Sequence, residues 1–186
     1  MRFAFAPVLL VAASCGANLP SFDVHATSKS TIPHQDCGLA CGLSNAFGGL
    51  SGPFGNLGNF DFSTQSDFKN QGVPKNHITS VKLTAAHLVA SATAAGCTPA
   101  DFSFLSSLEF DVGTSGQPTV RIAHAEGPGG GAFTSSTLDL TLDDVELAPY
   151  ATADTMSITT KANGHAPTKC DIDVNAALTF HVLAHL

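Results

Sequence analysis

Histidine is present in excess in this sequence, with eight copies at positions 25, 34, 77, 87, 124, 165, 181 and 185. Imidazole is a common ligand for transition metals. His181, His185 and Asp173 are the weak candidates for such a site, because both histidines share one face of a predicted strand. At strand rise they lie about 13 Å apart, too far for one ion without a bend. Scattered surface histidines are therefore the favoured interpretation, although His87 and His124 stand in register with apolar residues and are predicted to point inward.

Two acidic patterns raise the question of calcium binding. Asp171, Asp173 and Asn175 have the spacing that opens an EF-hand loop. The sixth and twelfth positions are Ala176 and Val182, where the loop requires Gly and Glu, so we reject that interpretation. The second pattern is an acidic rim, for which a solvated hairpin end is favoured over weak calcium binding; its members are Asp139, Asp143, Asp144 and Glu146.

The sequence offers no catalytic motif. It has no Gly-x-Ser-x-Gly elbow, no His-Glu-x-x-His pair and no Gly-x-x-x-x-Gly-Lys phosphate loop. The absence of Trp and the presence of one tyrosine, Tyr150, argue against a sugar cleft. We therefore predict no catalytic residue and no cofactor. A hydrolase whose Asp, Glu or His residues are dispersed along the chain remains the alternative.

The amino-acid composition argues against two kinds of partner, nucleic acid and an anionic lipid surface. Charged residues make up 12% of the chain, and the formal net charge is −7. The few basic residues are scattered, so the sequence lacks the basic patch that nucleic acid requires. It also lacks the Lys/Arg cluster that holds a protein to anionic lipid. Its 13 phenylalanines are expected to fill the core.

The first fourteen residues, 1–14, are predicted to be a signal peptide. Met1 and Arg2 give a positive start, and an uncharged apolar run extends from Phe3 to Ala13. This run is shorter than the roughly 20 residues that span a bilayer as a helix. A cytosolic protein remains the alternative, because one arginine gives the start of the predicted signal peptide little positive charge.

The residues that follow point to a lipid anchor. Ala12-Ala13-Ser14-Cys15 resembles the bacterial lipobox, which implies that Cys15 becomes the lipid-carrying first residue. The resemblance implies a membrane partner through that anchor, and Gly16 in place of Asp implies the outer membrane. The alternative is ordinary cleavage after Ser14 or Ala17, which gives a secreted or periplasmic soluble protein.

Cysteine usage also favours export. Without Cys15, four cysteines remain, an even number that suits an oxidising compartment. We favour a local Cys37–Cys41 bridge and a long-range Cys97–Cys170 bridge among the three possible pairings. The long bridge would close a loop of about 70 residues and contribute roughly 4 kcal/mol. Zinc bound through Cys37 and Cys41 is a weaker rival.

Alternating apolar side chains predict six or seven strands. The longest run extends from Ile172 to Val182, and shorter runs surround Val81, Leu108, Val120, Leu138 and Met156. Strands that are apolar on one face need a second apolar layer. We therefore predict a mostly all-β fold, an antiparallel β-sandwich of immunoglobulin-like shape, with a small barrel as the alternative. Short connections lead us to expect pairing between strands adjacent in sequence.

Two short helices are expected beside the strands. One runs from Asp61 to Gly72, with Ser63 or Thr64 as its cap and Phe68 directed inward. A second begins at Thr98-Pro99-Ala100-Asp101 and ends by Leu105.

The predicted sandwich domain covers residues 61–186. Residues 15–60 are assigned to an anchor and tether with a possible edge strand from Phe22 to Thr27. Within it, residues 38–59 are rich in glycine and are expected to form a loop over the sheet. A partly disordered tether and a docking surface are the alternatives.

Three blocks resemble parts of uncharacterised exported bacterial lipoproteins with a β-sandwich domain; they are residues 68–73, 101–110 and 157–160. The resemblance implies fold and compartment. The sequence therefore favours a non-catalytic, lipid-anchored cell-envelope protein with a binding or structural role, for which another envelope protein is a candidate partner. A metal-binding envelope protein using surface His and Asp, and the dispersed hydrolase, are the alternatives.

Overall fold

The structure is a computed structural model, and it describes residues 20–35, 60–94, 97, 100–153 and 155–185. The signal peptide, Cys15, Cys37, Cys41 and the glycine-rich residues 38–59 lie outside the described residues. The predictions made for them remain predictions.

Within the described residues, eight strands form two antiparallel four-stranded sheets, which confirms the predicted β-sandwich. The first sheet has the order β1-β8-β2-β5, and the second has the order β6-β4-β3-β7. The strands are β1 (Ser21–Ile32), β2 (Ile78–Ala92), β3 (Leu105–Thr114), β4 (Gln117–Glu126), β5 (Thr137–Asp139), β6 (Thr141–Leu142), β7 (Ser157–Gly164) and β8 (Ile172–Ala184).

The core lies between the two sheets and follows the alternation of the sequence. In β8 every second residue from Ile172 to Ala184 is buried. Each of the phenylalanines that the structure describes is also buried, and Phe60, Phe62 and Phe180 pack ring to ring at centroid distances between 5.0 and 5.8 Å. The apolar half of each strand thus supplies the hydrophobic stabilisation of the fold.

The pairing of the strands differs from the expectation. Among the described strands only β3 and β4 pair as sequence neighbours, through the turn at Ser115 and Gly116. β8 instead lies between β1 and β2, and β7 pairs with β3. The chain changes sheet after β2, β4, β5 and β7, so most strands that pair are separated in sequence by strands of the other layer. The predicted edge strand is confirmed as β1, whose twelve residues pair with β8. The sandwich therefore includes a strand that precedes residue 61, where the predicted domain begins.

A β-bulge in β2 shifts the alternation of side chains by one residue, so the row of residues that faces the core changes at the bulge. The register against β8 shifts between Leu83 and Ala85. Val81 and Leu83 are buried before the bulge, and Ala86 and Leu88 are buried after it. Ala85 is consequently exposed, and His87 lies on the outer face of the sheet. The prediction that His87 points inward is therefore wrong.

The alternating run Leu138, Leu140, Leu142 is not one strand. β5 ends at Asp139 and pairs with β2, and β6 begins at Thr141 and pairs with β4. Leu140, at the crossing, is buried with its amide donating to the Ala86 carbonyl at 3.0 Å. This single alternating run therefore contributes one strand to each of the two sheets.

The helices are shorter than predicted. A 3-10 turn covers Phe62–Thr64 and α1 covers Ser66–Gln71, ending at Gly72 in the left-handed conformation. Asp61, not Ser63 or Thr64, caps the first turn by accepting from the Ser63 amide at 2.8 Å. Phe68 is buried as predicted and contacts Phe22 of β1. A second short helix, α2, covers Ala148–Ala151.

The prediction of a helix that begins at Thr98 is wrong for the part of that segment that the structure describes, from residue 100 onward. Residues 101–104 form bends and a turn before β3 begins at Leu105. The Asp101 carboxylate accepts from the Ser103 amide at 3.0 Å, which stabilises a local turn instead of a helix cap.

Candidate functional site

The best-formed cleft lies at the end of the sandwich where β8 begins. Its volume is about 190 Å³. Its walls come from the segment before β3 and from the connection between β7 and β8. The lining residues are Cys97, Asp101, Ser103, Phe104, His165, Pro167, Thr168, Lys169, Cys170 and Ile172.

A disulfide forms part of this wall. Cys97 and Cys170, which are 73 positions apart in sequence, are joined at an S–S distance of 2.04 Å. This is the long-range pairing favoured by the sequence. Both cysteines lie just beyond the ladder that ends with Ala92 opposite Ile172, so the bridge ties the ends of β2 and β8 at the cleft.

A close approach between two backbones positions the opposite wall. Gly164 has φ of +146°, and a Cβ built on it would lie 2.0 Å from the Phe104 carbonyl oxygen. Only glycine fits there, and the approach allows the His165 amide to donate to that same oxygen at 2.8 Å. Gly164 is the last residue of β7. His165 is thereby fixed beside Phe104.

The connection from β7 to β8 is held at two further points. The Gln35 amide, just after β1, donates to the Pro167 carbonyl at 2.9 Å. The Asp171 carboxylate accepts from the His34 amide at 2.8 Å and lies 2.6 Å from its ring Nδ1. These contacts with His34 hold the pKa of Asp171 below its ordinary value. The cleft is therefore built on anchored backbone.

Three ionisable side chains line the cleft. The ring Nδ1 of His165 lies 2.9 Å from the Ala166 carbonyl oxygen. Because a carbonyl oxygen only accepts, Nδ1 is the donor in this bond, and in the tautomer that carries its one proton on Nδ1 the Nε2 atom can accept. Asp101 contributes a carboxylate and Lys169 an ammonium group. Within the described part of the chain, neither of these two charges has an ion-pair partner.

Most other charges on the described surface are paired with an opposite charge on a neighbouring segment. Arg121 on β4 donates to Asp143 from Nε at 2.8 Å and from a terminal nitrogen at 3.3 Å. This pairing lowers the pKa of the Asp143 carboxyl and raises the pKa of Arg121. Lys82 lies 2.5 Å from Asp144, and Lys29 lies 2.7 Å from Asp173. Lys29–Asp173 joins β1 to β8, and cross-strand pairs of this kind stabilise register, whereas Asp143 and Asp144 lie just after β6.

The outer face of the second sheet carries the most concentrated charge. Asp111 on β3 points to this face, yet its side chain is only 4% exposed. Lys161 Nζ lies 2.5 Å from Asp111 Oδ2, an ion pair that is not aligned as a good hydrogen bond. The contact raises the pKa of Lys161. Asp111, Lys161, Arg121 and Asp143 therefore neutralise one another along the strands.

His124 also lies on this outer face, so the prediction that it points inward is wrong. Its ring Nδ1 is 3.5 Å from Asp143 Oδ2, too long for a hydrogen bond, and that atom is shielded from solvent. The register shift after Phe110 sets Ile122 and Ala123 both in the core and turns His124 outward.

The predicted metal candidates are not brought together. His181 Nδ1 lies 2.8 Å from Asp23 on β1, and Asp173 is engaged by Lys29 and Thr31. His185 lies beyond the end of β8, where its ring stacks on His77 at 4.6 Å. Over the ranges that the structure describes, no group of three His, Cys, Asp or Glu side chains is placed to hold a metal ion.

The four residues of the predicted acidic rim each contact different partners and do not converge on one site. Asp139 lies 2.6 Å from the His87 ring, and Asp143 and Asp144 pair with Arg121 and Lys82. Glu146 accepts from the backbone amides of β2 and α2 and from the Ser80 hydroxyl. Burial acts to raise the pKa of Glu146, but these hydrogen bonds outweigh it and lower the pKa.

The sequence matches no protein-family model and no curated protein. None of the helices in the described ranges is both long enough and apolar enough to cross a membrane.

Sequence reasoning found the cysteines of the cleft but not the cleft itself. Asp101 was interpreted as part of a helix start, His165 as one of several scattered histidines, and Lys169 was not singled out. Gly164 brings the end of β7 against Phe104 and so fixes His165 beside the cleft that Asp101 and Lys169 also line. The only signal in the sequence was the small residue at position 164 directly before a histidine.

Proposed function

We propose that this protein is a non-catalytic binding protein of the bacterial cell envelope, anchored to the outer membrane by lipid on Cys15. The observation that carries the proposal is the Cys97–Cys170 disulfide. Disulfides persist in oxidising compartments outside the cytoplasm. The apolar run before Cys15 and the lipobox-like residues agree with that compartment.

The arrangement of the cleft favours binding over hydrolysis. A general base needs a partner that orients it and a nucleophile within hydrogen-bonding reach. The His165 ring is bonded through Nδ1 to a backbone carbonyl, and Asp101 accepts from the backbone amide of Ser103. Within the described residues neither side chain bonds to the side chain of a Ser, Thr or Cys, so the cleft holds no base paired with a nucleophile, and this supports a recognition role.

The anchor is tested in a bacterial host that expresses the full chain. We expect the wild-type protein in the membrane fraction, labelled by an alkyne analogue of palmitate and lacking residues 1–14 by mass spectrometry. Cys15→Ser should move it to the soluble fraction and abolish the label. Ser14→Ala is the matched control, because it leaves a small residue before the cysteine, and should behave as wild type. A wild-type protein that is soluble, unlabelled and still carries residues 1–14 would contradict the proposal.

A further inference from the structure

We propose that the cleft beside the Cys97–Cys170 disulfide binds a free amino acid in its zwitterionic form. The inference rests on the binding role proposed above, but not on the lipid anchor. It names the class of ligand that the side chains of the cleft are suited to recognise.

The charges of the cleft are complementary to a zwitterion. Within the described residues, five of the basic side chains are held in ion pairs with Asp or Glu; they are Lys29, Lys75, Lys82, Arg121 and Lys161. Lys169 has no such partner there, and it lies in the same cleft as Asp101. A positive and a negative group that do not neutralise each other can engage opposite ends of one small ligand.

Each end of the ligand finds more than one partner. An ammonium group can donate to the Asp101 carboxylate and to the lone pair on His165 Nε2, which the hydrogen bond of Nδ1 to Ala166 leaves free. A carboxylate can accept from the Lys169 ammonium and the Thr168 hydroxyl. Charge-assisted hydrogen bonds of this kind are stronger than neutral ones.

The size and the remaining walls indicate a small apolar side chain. The cleft volume of about 190 Å³ is below the roughly 300–1,000 Å³ of pockets for drug-sized ligands. Phe104, Pro167 and Ile172 add apolar surface to the polar groups. A branched aliphatic amino acid such as L-valine combines two charged ends with a side chain suited to those walls.

The test is isothermal titration calorimetry of the oxidised protein with L-valine. We expect binding at millimolar concentration or below. N-acetyl-L-valine lacks the ammonium group and L-valinamide lacks the carboxylate, so each should bind at least about tenfold more weakly. Equal binding of either analogue and L-valine would overturn the proposal, as would the absence of L-valine binding at millimolar concentration.

Four variants localise the site. Asp101→Asn keeps an oxygen that can accept from Ser103 but removes the charge, and Lys169→Gln removes the ammonium. Each should weaken L-valine binding at least about tenfold. Glu126→Gln and Lys69→Gln are matched controls outside the cleft that should leave affinity unchanged. Equal losses in the controls and the cleft variants would refute this site. Cell fractionation tests the anchor separately, so failure of either idea can be told from failure of the other.

Discussion

Gly164 and Phe104 lie in backbone contact: a Cβ at residue 164 would stand 2.0 Å from the Phe104 carbonyl oxygen and 2.9 Å from the Leu105 Cα. The contact joins the end of β7 to the start of β3. It also fixes His165, the next residue, at the wall of the cleft. One glycine therefore links the packing of the second sheet to the candidate site.

We expect Gly164→Ala to destabilise the protein by at least about 2 kcal/mol, because it combines an unfavourable φ with a backbone clash. Urea unfolding measures the loss. Gly116→Ala is the control, because Gly116 has φ of +82° but no atom within 4 Å of a built Cβ. It should cost only about 1 kcal/mol. Equal losses in the two variants would show that the contact with Phe104 adds nothing.

The disulfide should account for a large part of the stability. Replacing both Cys97 and Cys170 by Ser removes a cross-link between residues 73 positions apart. In the chain-entropy model this costs about 4 kcal/mol of unfolding free energy. Wild-type protein treated with a reductant should lose a similar amount. Denaturant unfolding of both samples checks the value, and a loss below about 1 kcal/mol would contradict a stabilising role.

Stability should fall in acid. Hydrogen bonds and ion pairs lower the pKa of Asp143, Asp171 and Asp173 in the folded protein. Each carboxylate therefore contributes stability that is present above its unfolded pKa of about 4 and is lost as pH falls through its folded pKa. Urea midpoints measured from pH 7 down to pH 3 should decline mainly below about pH 5.

Asp143→Asn supplies the control for this decline. Asn carries no titrating group and cannot form the ion pair with Arg121, so the variant should be less stable at pH 7 and should lose less on acidification. A decline as steep as that of the wild type would show that Asp143 takes no part in it.

The burial of an ion pair should determine how much the pair contributes to the stability of the fold. Lys161→Met leaves the Asp111 carboxylate buried without its cation, since that side chain is only 4% exposed. Lys82→Met leaves Asp144, which is 92% exposed and remains hydrated. We therefore expect a clear fall in the urea midpoint for Lys161→Met and little change for Lys82→Met. The opposite order would contradict this ranking.

The amino-acid sequence by itself determined the fold class. The alternation from Ile172 to Val182 requires one apolar face whatever its neighbours are, and β8 shows that face without a break. The pairing of Cys97 with Cys170 was likewise favoured by the sequence and is present. Local periodicity reports side-chain direction within a strand, and these features depend on little else.

Only the tertiary structure decided the register and the cleft. The bulge at Leu83–Ala85 turned His87 outward, and the crossing at Leu140 divided one run between two sheets. Asp101 and Lys169 meet at one cleft because strands far apart in sequence pack side by side. Such contacts arise from the competition of all strands for partners and for burial, and no local pattern of residues encodes that competition.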